Sequence, residues 1–304
     1  MPKNNAITGG TIAAVITPRE SKELSIDLAA TLELTDFLHE GGADSIALLT
    51  SAGEFVHFVL EDRARMLDFA VKRSRLPVIV NISHSTCDGA IYLGQEAAAA
   101  GVAATLLMPP YYFRYSQPTI RTFCLQAAEA VAKEVPVYLY NVPMGAFGMS
   151  TETCAELLAS GLFAGIADAS GEWECLQTLL QMRGEGSYLI LSGNDHLATA
   201  AARAGGNGAV SEVACAVPEL MAALWRAVKA GDDELTSRLE SRVREFVERI
   251  QPFPVPYGIR EAARQRDVKV GVGATPLGRD EEEALAAFGE WFKDWLPGVL
   301  RECR

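Results

Sequence analysis

The chain has 304 residues, of which 49% are hydrophobic, so it can bury the core of one α/β barrel or of two smaller domains. The formal net charge of -12 argues against binding of nucleic acid, because neutralising phosphates requires clustered lysine and arginine. Charged residues interrupt every long apolar stretch, and the first residues form no apolar signal region. Membrane spanning and secretion are therefore disfavoured.

The six cysteines give no sign of a metal site or of a disulfide framework. They stand at positions 87, 124, 154, 175, 215 and 303, with no CxxC pair and no histidine at the spacing of a metal ligand. Such scattered cysteines are typical of reduced thiols in the cytoplasm. We therefore predict a cytoplasmic protein without a bound metal.

Short β-rich runs alternate with helical stretches over the first two thirds of the chain. The predicted strands are Ile12–Thr17, Ser45–Leu49, Val78–Ile82, Ala104–Met108, Val137–Asn141, Phe163–Ile166, Tyr188–Ser192 and Gly208–Ser211. Eight strands alternating with helices predict a parallel sheet closed into a (β/α)8 TIM barrel. An open doubly wound sheet is the alternative. It is less favoured because a dinucleotide-binding sheet has a GxGxxG turn after its first strand. The first strand here is followed by Thr17-Pro18-Arg19-Glu20.

From Pro218 onward, helical patterns replace strand patterns. The predicted helices are Glu219–Ala230, Asp233–Ile250, Tyr257–Arg266 and Asp280–Trp295. A proline-rich run at residues 251–256 separates the second from the third, because proline removes a backbone donor and clashes with the preceding turn. We therefore predict a barrel over residues 1–216 and a C-terminal helical extension over residues 217–304 that packs on it.

Polar residues follow several predicted strands, at the barrel face where active sites are built. The glycine of the turn Ser51-Ala52-Gly53-Glu54 lets backbone N–H groups approach an anion. Tyr140, at the end of the fifth strand, has a phenol that can give and take a proton. Each feature alone also fits a structural role, as a strand-to-helix turn or a packed tyrosine. A triad of Ser192, Asp195 and His196 is excluded, because neighbouring residues on one turn cannot align as nucleophile, base and orienting group.

Five segments in this order make the chain resemble the dihydrodipicolinate synthase / N-acetylneuraminate lyase family. They are Ser51-Ala52-Gly53-Glu54, Pro110-Tyr111-Tyr112, Tyr140-Asn141-Val142-Pro143, Gly165-Ile166-Ala167-Asp168-Ala169-Ser170-Gly171 and Ser192-Gly193-Asn194-Asp195. Members of that family are class I aldolases that hold pyruvate as an imine on a lysine. The matching position here is Ala167, whose methyl group cannot form a Schiff base.

The resemblance also implies roles for single residues. Tyr140 is the proton relay to the substrate, Ser51 links it to a second tyrosine, Tyr112, and Tyr112 reaches into the site of a neighbouring subunit. Ser51 and Ala52 bind the carboxylate of a 2-oxo acid. Three further residues line the rest of the substrate pocket, namely Gly193, Asn194 and Val210. The resemblance further implies a homotetramer and no cofactor, because the imine itself is the electron sink.

Ala167 leaves two interpretations open. Tyr140, Ser51 and Tyr112 are intact, which favours an engineered Lys to Ala change or a recent loss of catalysis in a 2-oxo acid lyase. The alternative is a non-catalytic 2-oxo acid sensor on the same barrel. Relatives that make dihydrodipicolinate carry an arginine two residues after the proline of the fifth-strand segment. This chain has Gly145 there, which argues against lysine biosynthesis.

Overall fold

Eight parallel strands close into a barrel in chain order in the computed structural model, which describes residues 7–20, 25–184 and 186–304. The strands are β1 (Gly10–Ala14), β2 (Ser45–Leu48), β3 (Val78–Asn81), β4 (Ala104–Leu107), β5 (Val137–Asn141), β6 (Gly165–Asp168), β7 (Leu189–Ser192) and β8 (Gly208–Ser211). β1 pairs with β2 on one edge and with β8 on the other, where Ala13 lies opposite Ser211. The predicted (β/α)8 TIM barrel is confirmed, and the open sheet is wrong.

Helices connect the strands and surround the barrel. They are α1 (Leu28–Glu40), α2 (Leu60–Arg73), α3 (Cys87–Ala100), α4 (Gln117–Val131), α5 (Thr151–Ala159), α6 (Trp173–Arg183), α7 (Ala198–Arg203) and the short α8 (Val213–Ala216). Several begin at a capping side chain, as where Thr86 accepts from the N–H of Gly89 and Ser150 from that of Thr153. These caps fix where each loop at the carboxyl face turns into its helix.

The strands are almost wholly buried, as expected for a parallel sheet covered on both faces. The interior of the barrel is filled by side chains whose size has to match. Gly165 lies opposite Tyr138 in the register of β5 and β6, and a Cβ atom at residue 165 would come within 2.6 Å of the Tyr138 ring. The glycine therefore makes room for an aromatic layer beneath the carboxyl face.

The last third of the chain is helical, as predicted, in α9 (Pro218–Ala230), α10 (Asp233–Ile250), α11 (Tyr257–Arg264) and α12 (Arg279–Glu302). α9 packs on β1 and α7, and α10 packs on α9. The domain boundary between residues 216 and 217 stays a prediction. None of the helices in the described part of the chain combines the length and hydropathy needed to cross a bilayer.

The final helix is longer than the sequence predicts. α12 continues past Trp295 to Glu302 and contains Pro297. Its buried face runs through Phe288, Phe292, Trp295 and Val299, while Pro297 is exposed. Burial of this apolar face on both sides of the proline outweighs the loss of one backbone hydrogen bond. The prediction that the helix ends at Trp295 is therefore wrong.

Candidate active site

The turn that follows β2 has a strained backbone that distant parts of the chain hold in place. Leu49 and Glu54 adopt left-handed conformations with φ of 56° and 53°, which cost energy for residues other than glycine. The Thr17 hydroxyl donates to the Gly53 carbonyl over 2.7 Å, and the Asn81 side chain donates to the Leu49 carbonyl over 2.7 Å. The ends of β1 and β3 therefore position the turn that carries Ser51 and Ala52.

A buried ion pair anchors the same turn from the C-terminal extension. Glu54 and Arg260 are 6% and 2% exposed, and the Arg260 guanidinium donates to the Glu54 carboxylate. Each charge compensates the other in a site that excludes water, so removal of either partner would leave a costly buried charge. α11 is therefore needed to shape the barrel mouth, which we define as the space at the carboxyl ends of the strands around Ser51 and Tyr140.

Tyr140 lies in the barrel interior beside Ser51. The Tyr140 and Ser51 hydroxyl oxygens are 3.4 Å apart, and either group can donate. Tyr140 is 5% exposed, and burial raises the pKa of its phenol to about 12. The phenol therefore stays protonated at neutral pH and is a hydrogen-bond donor to whatever occupies the barrel mouth.

Ala167 is the register partner of Tyr140 on the neighbouring strand β6. Register partners in a parallel pair lie side by side on one face of the sheet, so Ala167 and Tyr140 share the face that points into the barrel. Ala167 is completely buried. The strand β6 is two residues further along than predicted, which places residue 167 within the strand. A longer side chain here would extend beside the Tyr140 phenol.

The next register pair, Asn141 and Asp168, lies on the opposite face of the sheet. The Asn141 side chain donates to Asp168 over 2.8 Å, and the Ser170 hydroxyl donates to the other carboxylate oxygen over 2.8 Å. Burial raises the pKa of Asp168, while both hydrogen bonds lower it. This carboxylate is satisfied where it stands and braces the loops after β5 and β6.

The turn after β7 carries two of the predicted pocket residues. The Ser192 hydroxyl donates to the Asn194 carbonyl over 2.8 Å, and the Asn194 side chain accepts from the His196 N–H. Gly193 lies against Ala169, because a Cβ atom at residue 193 would come within 2.8 Å of the Ala169 side chain. Val210 is buried on β8 opposite Ile12 of β1. These residues lie on the β7 and β8 side of the barrel, which β1 separates from β2 and its Ser51 turn.

Tyr112 lies outside the interior that holds the other predicted residues. It is 84% exposed, with a left-handed φ of 83°, and its ring contacts Phe113 edge to face. Its hydroxyl group makes no hydrogen bond within the described part of the chain. The neighbouring Tyr111 is half-buried and packs edge to face on Phe55. Within one subunit, Ser51 therefore does not link Tyr112 to Tyr140.

Two carboxyl groups at the barrel mouth were not among the predicted site residues. Asp195 follows β7 and accepts from the N–H groups of Glu212 and Val213, each over 3.1 Å. Glu212 follows β8 directly, and burial together with the Asp195 charge raises its pKa to about 7. The signal available in sequence was an acidic residue directly after a strand. Within the described residues, no group of three or more histidine, cysteine or acidic side chains is placed to hold a metal ion.

A buried arginine on α2 was also missed. Arg63 is 1% exposed and donates to the carbonyls of Ser83 and Asn81 over 3.0 and 2.9 Å. Its guanidinium lies over the Phe55 ring, and no carboxylate pairs with it in the described part of the chain. Burial lowers its pKa to about 10, so it stays charged at neutral pH. The carboxyl end of β3 therefore carries an uncompensated positive charge.

Comparison with known proteins agrees with this geometry. The model of the dihydrodipicolinate synthetase family matches residues 7–294. The chain is 33% identical over 237 residues to the 4-hydroxy-tetrahydrodipicolinate synthase of Neisseria meningitidis serogroup C, covering 77% of this chain and 80% of that protein.

Two crystal structures show the same fold. Dihydrodipicolinate synthase from Aquifex aeolicus superposes with a TM-score of 0.87 at 23% identity, covering 94% of this chain and 98% of that one. The chloride-inhibited dihydrodipicolinate synthase from Acinetobacter baumannii, in complex with pyruvate, superposes with a TM-score of 0.85 at 24% identity, covering 94% and 99%. Because the family model matches residues 7–294 of its 304 residues, this chain belongs to the dihydrodipicolinate synthetase family of class I aldolase-type lyases.

Proposed function

We propose that the barrel mouth binds a 2-oxo acid such as pyruvate, with the carboxylate at the Ser51-Ala52 turn and the carbonyl next to Tyr140. The observation that carries the proposal is the register pair of Tyr140 and Ala167, which directs residue 167 to the phenol that the Ser51 hydroxyl contacts. Ala52 is fully buried, so its contribution is the backbone N–H of the turn. Gly193, Asn194 and Val210 form the far wall.

A lysine at residue 167 would complete the reaction centre. Its amine would attack the carbonyl carbon of the 2-oxo acid, and the carbinolamine would lose water to give an imine. Tyr140, which stays protonated, would donate the proton that the leaving hydroxyl needs and take one back in the reverse direction. The imine would then accept the electron pair of the carbon–carbon bond that breaks. Ala167 supplies no amine, so this chain binds without covalent turnover.

Two histories are compatible with Ala167, and one observation favours the lyase. Ser51 and Tyr140 keep their contact, and the strained turn keeps its hydrogen bonds to Thr17 and Asn81. A strained turn held by so many groups is expected where a ligand binds. We therefore favour a lyase with an engineered or recent Lys to Ala change. The alternative is a non-catalytic 2-oxo acid sensor.

Borohydride trapping separates these possibilities. We expect no stable mass increase when the unmodified chain is treated with pyruvate and borohydride, and a pyruvate adduct on Ala167→Lys. The five lysines that the structure describes beyond residue 25 are all exposed, which makes them poor imine formers, because an exposed amine is protonated at neutral pH. Lys3 and Lys22 lie outside the described residues, and the double variant Lys3→Arg, Lys22→Arg is the control. An adduct on the unmodified chain would overturn the proposal.

Calorimetry tests binding without covalent chemistry. Pyruvate is expected to bind the unmodified chain weakly, at millimolar concentration, and Ser51→Ala is expected to weaken it further. His84→Ala is a matched control, since His84 follows β3 and its ring contacts the Thr86 side chain. If pyruvate and longer 2-oxo acids all fail to bind, the proposed site is wrong.

We propose a homotetramer in the cytoplasm, in which Tyr112 completes the site of a neighbouring subunit. Large apolar side chains are exposed on the loops at the carboxyl face, at Val56, Val59, Tyr112, Phe113 and Met144. Exposed apolar groups on one face are typical of an interface between subunits. Light scattering is expected to give the mass of a tetramer. Tyr112→Ala is expected to lower the measured mass or to weaken pyruvate binding. A stable monomer at micromolar concentration would contradict the proposal.

A further inference from the structure

The turn after β2 carries a hydroxyl group that the chain itself does not use. Thr50 is completely buried, and its hydroxyl oxygen has no hydrogen-bond partner among the described residues. A buried hydroxyl without a partner costs free energy, because it has lost its hydrogen bonds to water and gained none in return. Thr50 stands between Leu49, whose φ is 56°, and Ser51, so it belongs to the strained turn. A ligand at this turn is therefore a candidate partner for the hydroxyl.

An unpaired hydroxyl does not by itself indicate a ligand. Ser45, the first residue of β2, is 2% exposed, and its hydroxyl also has no partner in the described part of the chain. Ser45 lies at the amino end of the strand, away from the face on which barrel enzymes build their sites. Thr50 lies at the carboxyl end, directly before Ser51, whose hydroxyl oxygen is 3.4 Å from that of Tyr140. Its place at the barrel mouth distinguishes Thr50, and Ser45 is a matched control.

The carbonyl groups of the turn are already engaged. Those of Leu49, Ser51 and Gly53 each accept a hydrogen bond from another group of the chain. The Thr50 hydroxyl can donate, and none of these carbonyls accepts from it. A turn with engaged acceptors and an unused donor is complementary to an ionised carboxylate, because a carboxylate accepts hydrogen bonds and donates none.

The hydroxyl hydrogens in and next to the turn can be counted against their acceptors. In the proposed function Tyr140 gives its hydrogen to the ligand carbonyl, so its oxygen is left to accept from Ser51. Ser51 has one hydroxyl hydrogen, and this contact uses it. The Thr17 hydroxyl donates to a carbonyl of the turn, and Ala52 has no hydroxyl. Thr50 is therefore the side chain of the turn whose hydroxyl hydrogen is left for the ligand carboxylate.

We propose that Thr50 is a ligand-binding residue, whose hydroxyl donates to the carboxylate of the bound 2-oxo acid while Ser51 orients the Tyr140 phenol. This role rests on the proposed function and names the side chain that holds the carboxylate. A hydrogen bond to a charged acceptor is stronger than one between neutral groups, and burial removes the water that would compete with it. Binding of the carboxylate therefore removes the cost of the unpaired hydroxyl and adds to affinity.

Pyruvate titration of the Ala167→Lys form tests this role, with borohydride trapping and mass measurement of the adduct as the readout. Thr50→Val removes the hydroxyl and keeps a side chain of similar shape. The pyruvate concentration for half-maximal trapping is expected to rise about tenfold, as for loss of one hydrogen bond to a charged group, while the fraction trapped at saturation stays the same. The midpoint of urea unfolding without ligand should not fall, because the hydroxyl has no partner to lose.

Three further variants of the Ala167→Lys form control the comparison. Thr50→Ser keeps the hydroxyl and should need as much pyruvate as the Ala167→Lys form itself. Thr50→Ala differs from Thr50→Ser by one oxygen atom and should bind as weakly as Thr50→Val, so this pair decides the question if Thr50→Val fails to fold. Ser45→Ala removes the other unpaired hydroxyl of β2 and should leave the half-maximal concentration unchanged.

The outcomes separate the role of Thr50 from the proposed function. If Ala167→Lys forms the adduct and the variants without the hydroxyl need no more pyruvate than Thr50→Ser, Thr50 does not bind the ligand, and the proposed function stands without it. A lower urea midpoint in Thr50→Val would show that the hydroxyl has a partner in the free protein, which also contradicts the proposal. No adduct on Ala167→Lys and no binding of 2-oxo acids by the parent would overturn the proposed function and the role of Thr50 together.

Discussion

The two sides of the barrel mouth differ in charge and in how firmly their groups are held. On the side of β2 and β3, the turn carrying Ser51 is held by hydrogen bonds from Thr17 and Asn81, and buried Arg63 adds a positive charge. On the side of β7 and β8, Asp195 and Glu212 add carboxyl groups whose pKa values are raised by burial. One barrel of regular backbone therefore presents two unlike halves.

This difference shows what each half is suited to do. A turn whose backbone is fixed by several hydrogen bonds needs little rearrangement when a ligand arrives, which supports the proposed carboxylate site on the β2 and β3 side. Glu212, whose pKa burial raises to about 7, responds to pH near neutrality, so the β7 and β8 side changes its charge with pH. Tyr140 stands between the two, and the methyl group of Ala167 beside it contributes neither charge nor donor.

The largest effect is expected at Tyr140, where the two halves meet. In the Ala167→Lys form, Tyr140→Phe should slow exchange of the pyruvate methyl protons with D2O by roughly 10²-fold, because a proton relay acts mainly in the transition state. Pyruvate affinity should change little. Proton NMR measures the exchange, and Tyr138→Phe, a buried tyrosine one layer deeper in the same strand, should leave it intact. Equal rates in the two tyrosine variants would show that Tyr140 is structural.

A smaller effect is expected on the positive side. Arg63→Met should lower the free energy of unfolding by about 2 kcal/mol, because two buried carbonyls lose their donor while a costly buried charge is removed. Urea denaturation measures the loss. Arg65→Met on the exposed face of the same helix should change stability by less than about 0.5 kcal/mol. If both variants match the parent, Arg63 does not hold the end of β3.

The smallest effect is expected on the acidic side, and it depends on pH. The folded pKa of Glu212 is raised, so the folded chain binds this proton more tightly than the unfolded chain, and stability falls as pH rises towards about 7. Glu212→Gln has no proton to lose here, so its free energy of unfolding should not fall in this way. The difference in free energy of unfolding between variant and parent should therefore shift in favour of the variant by about 1–2 kcal/mol between acid pH and neutral pH. Denaturation at two pH values measures it. Glu172→Gln, at an exposed acid after β6, should keep the pH dependence of the parent. If Glu212→Gln also keeps it, the raised pKa of Glu212 does not affect stability and the assignment is wrong.

The sequence by itself determined the number of strands, their order and most of their limits. Val137–Asn141 and Gly208–Ser211 are strands over the same residues as predicted, because short β-rich runs between helical segments have few other interpretations. β6 begins and ends two residues later than predicted, since Ala167 and Asp168 have low intrinsic strand propensity and the pairing with β5 extends the strand through them. The last helix was predicted to end at Trp295, because local sequence patterns do not show the buried face that carries α12 on to Glu302.

The residues of the Ser51 turn and of the β5 and β6 segments could be recognised from sequence because each lies in a short, contiguous motif. The charges that surround them could not. Glu54 meets Arg260 across 206 positions of sequence, and Glu212 acts on Tyr140 from the far side of the barrel. Burial and the absence of a counter-charge decide whether Arg63 or Glu212 is an ordinary charged residue or part of a site. The burial of a side chain and the absence of a counter-charge are both properties of the closed barrel, because only closure brings the strand ends together and excludes water from them.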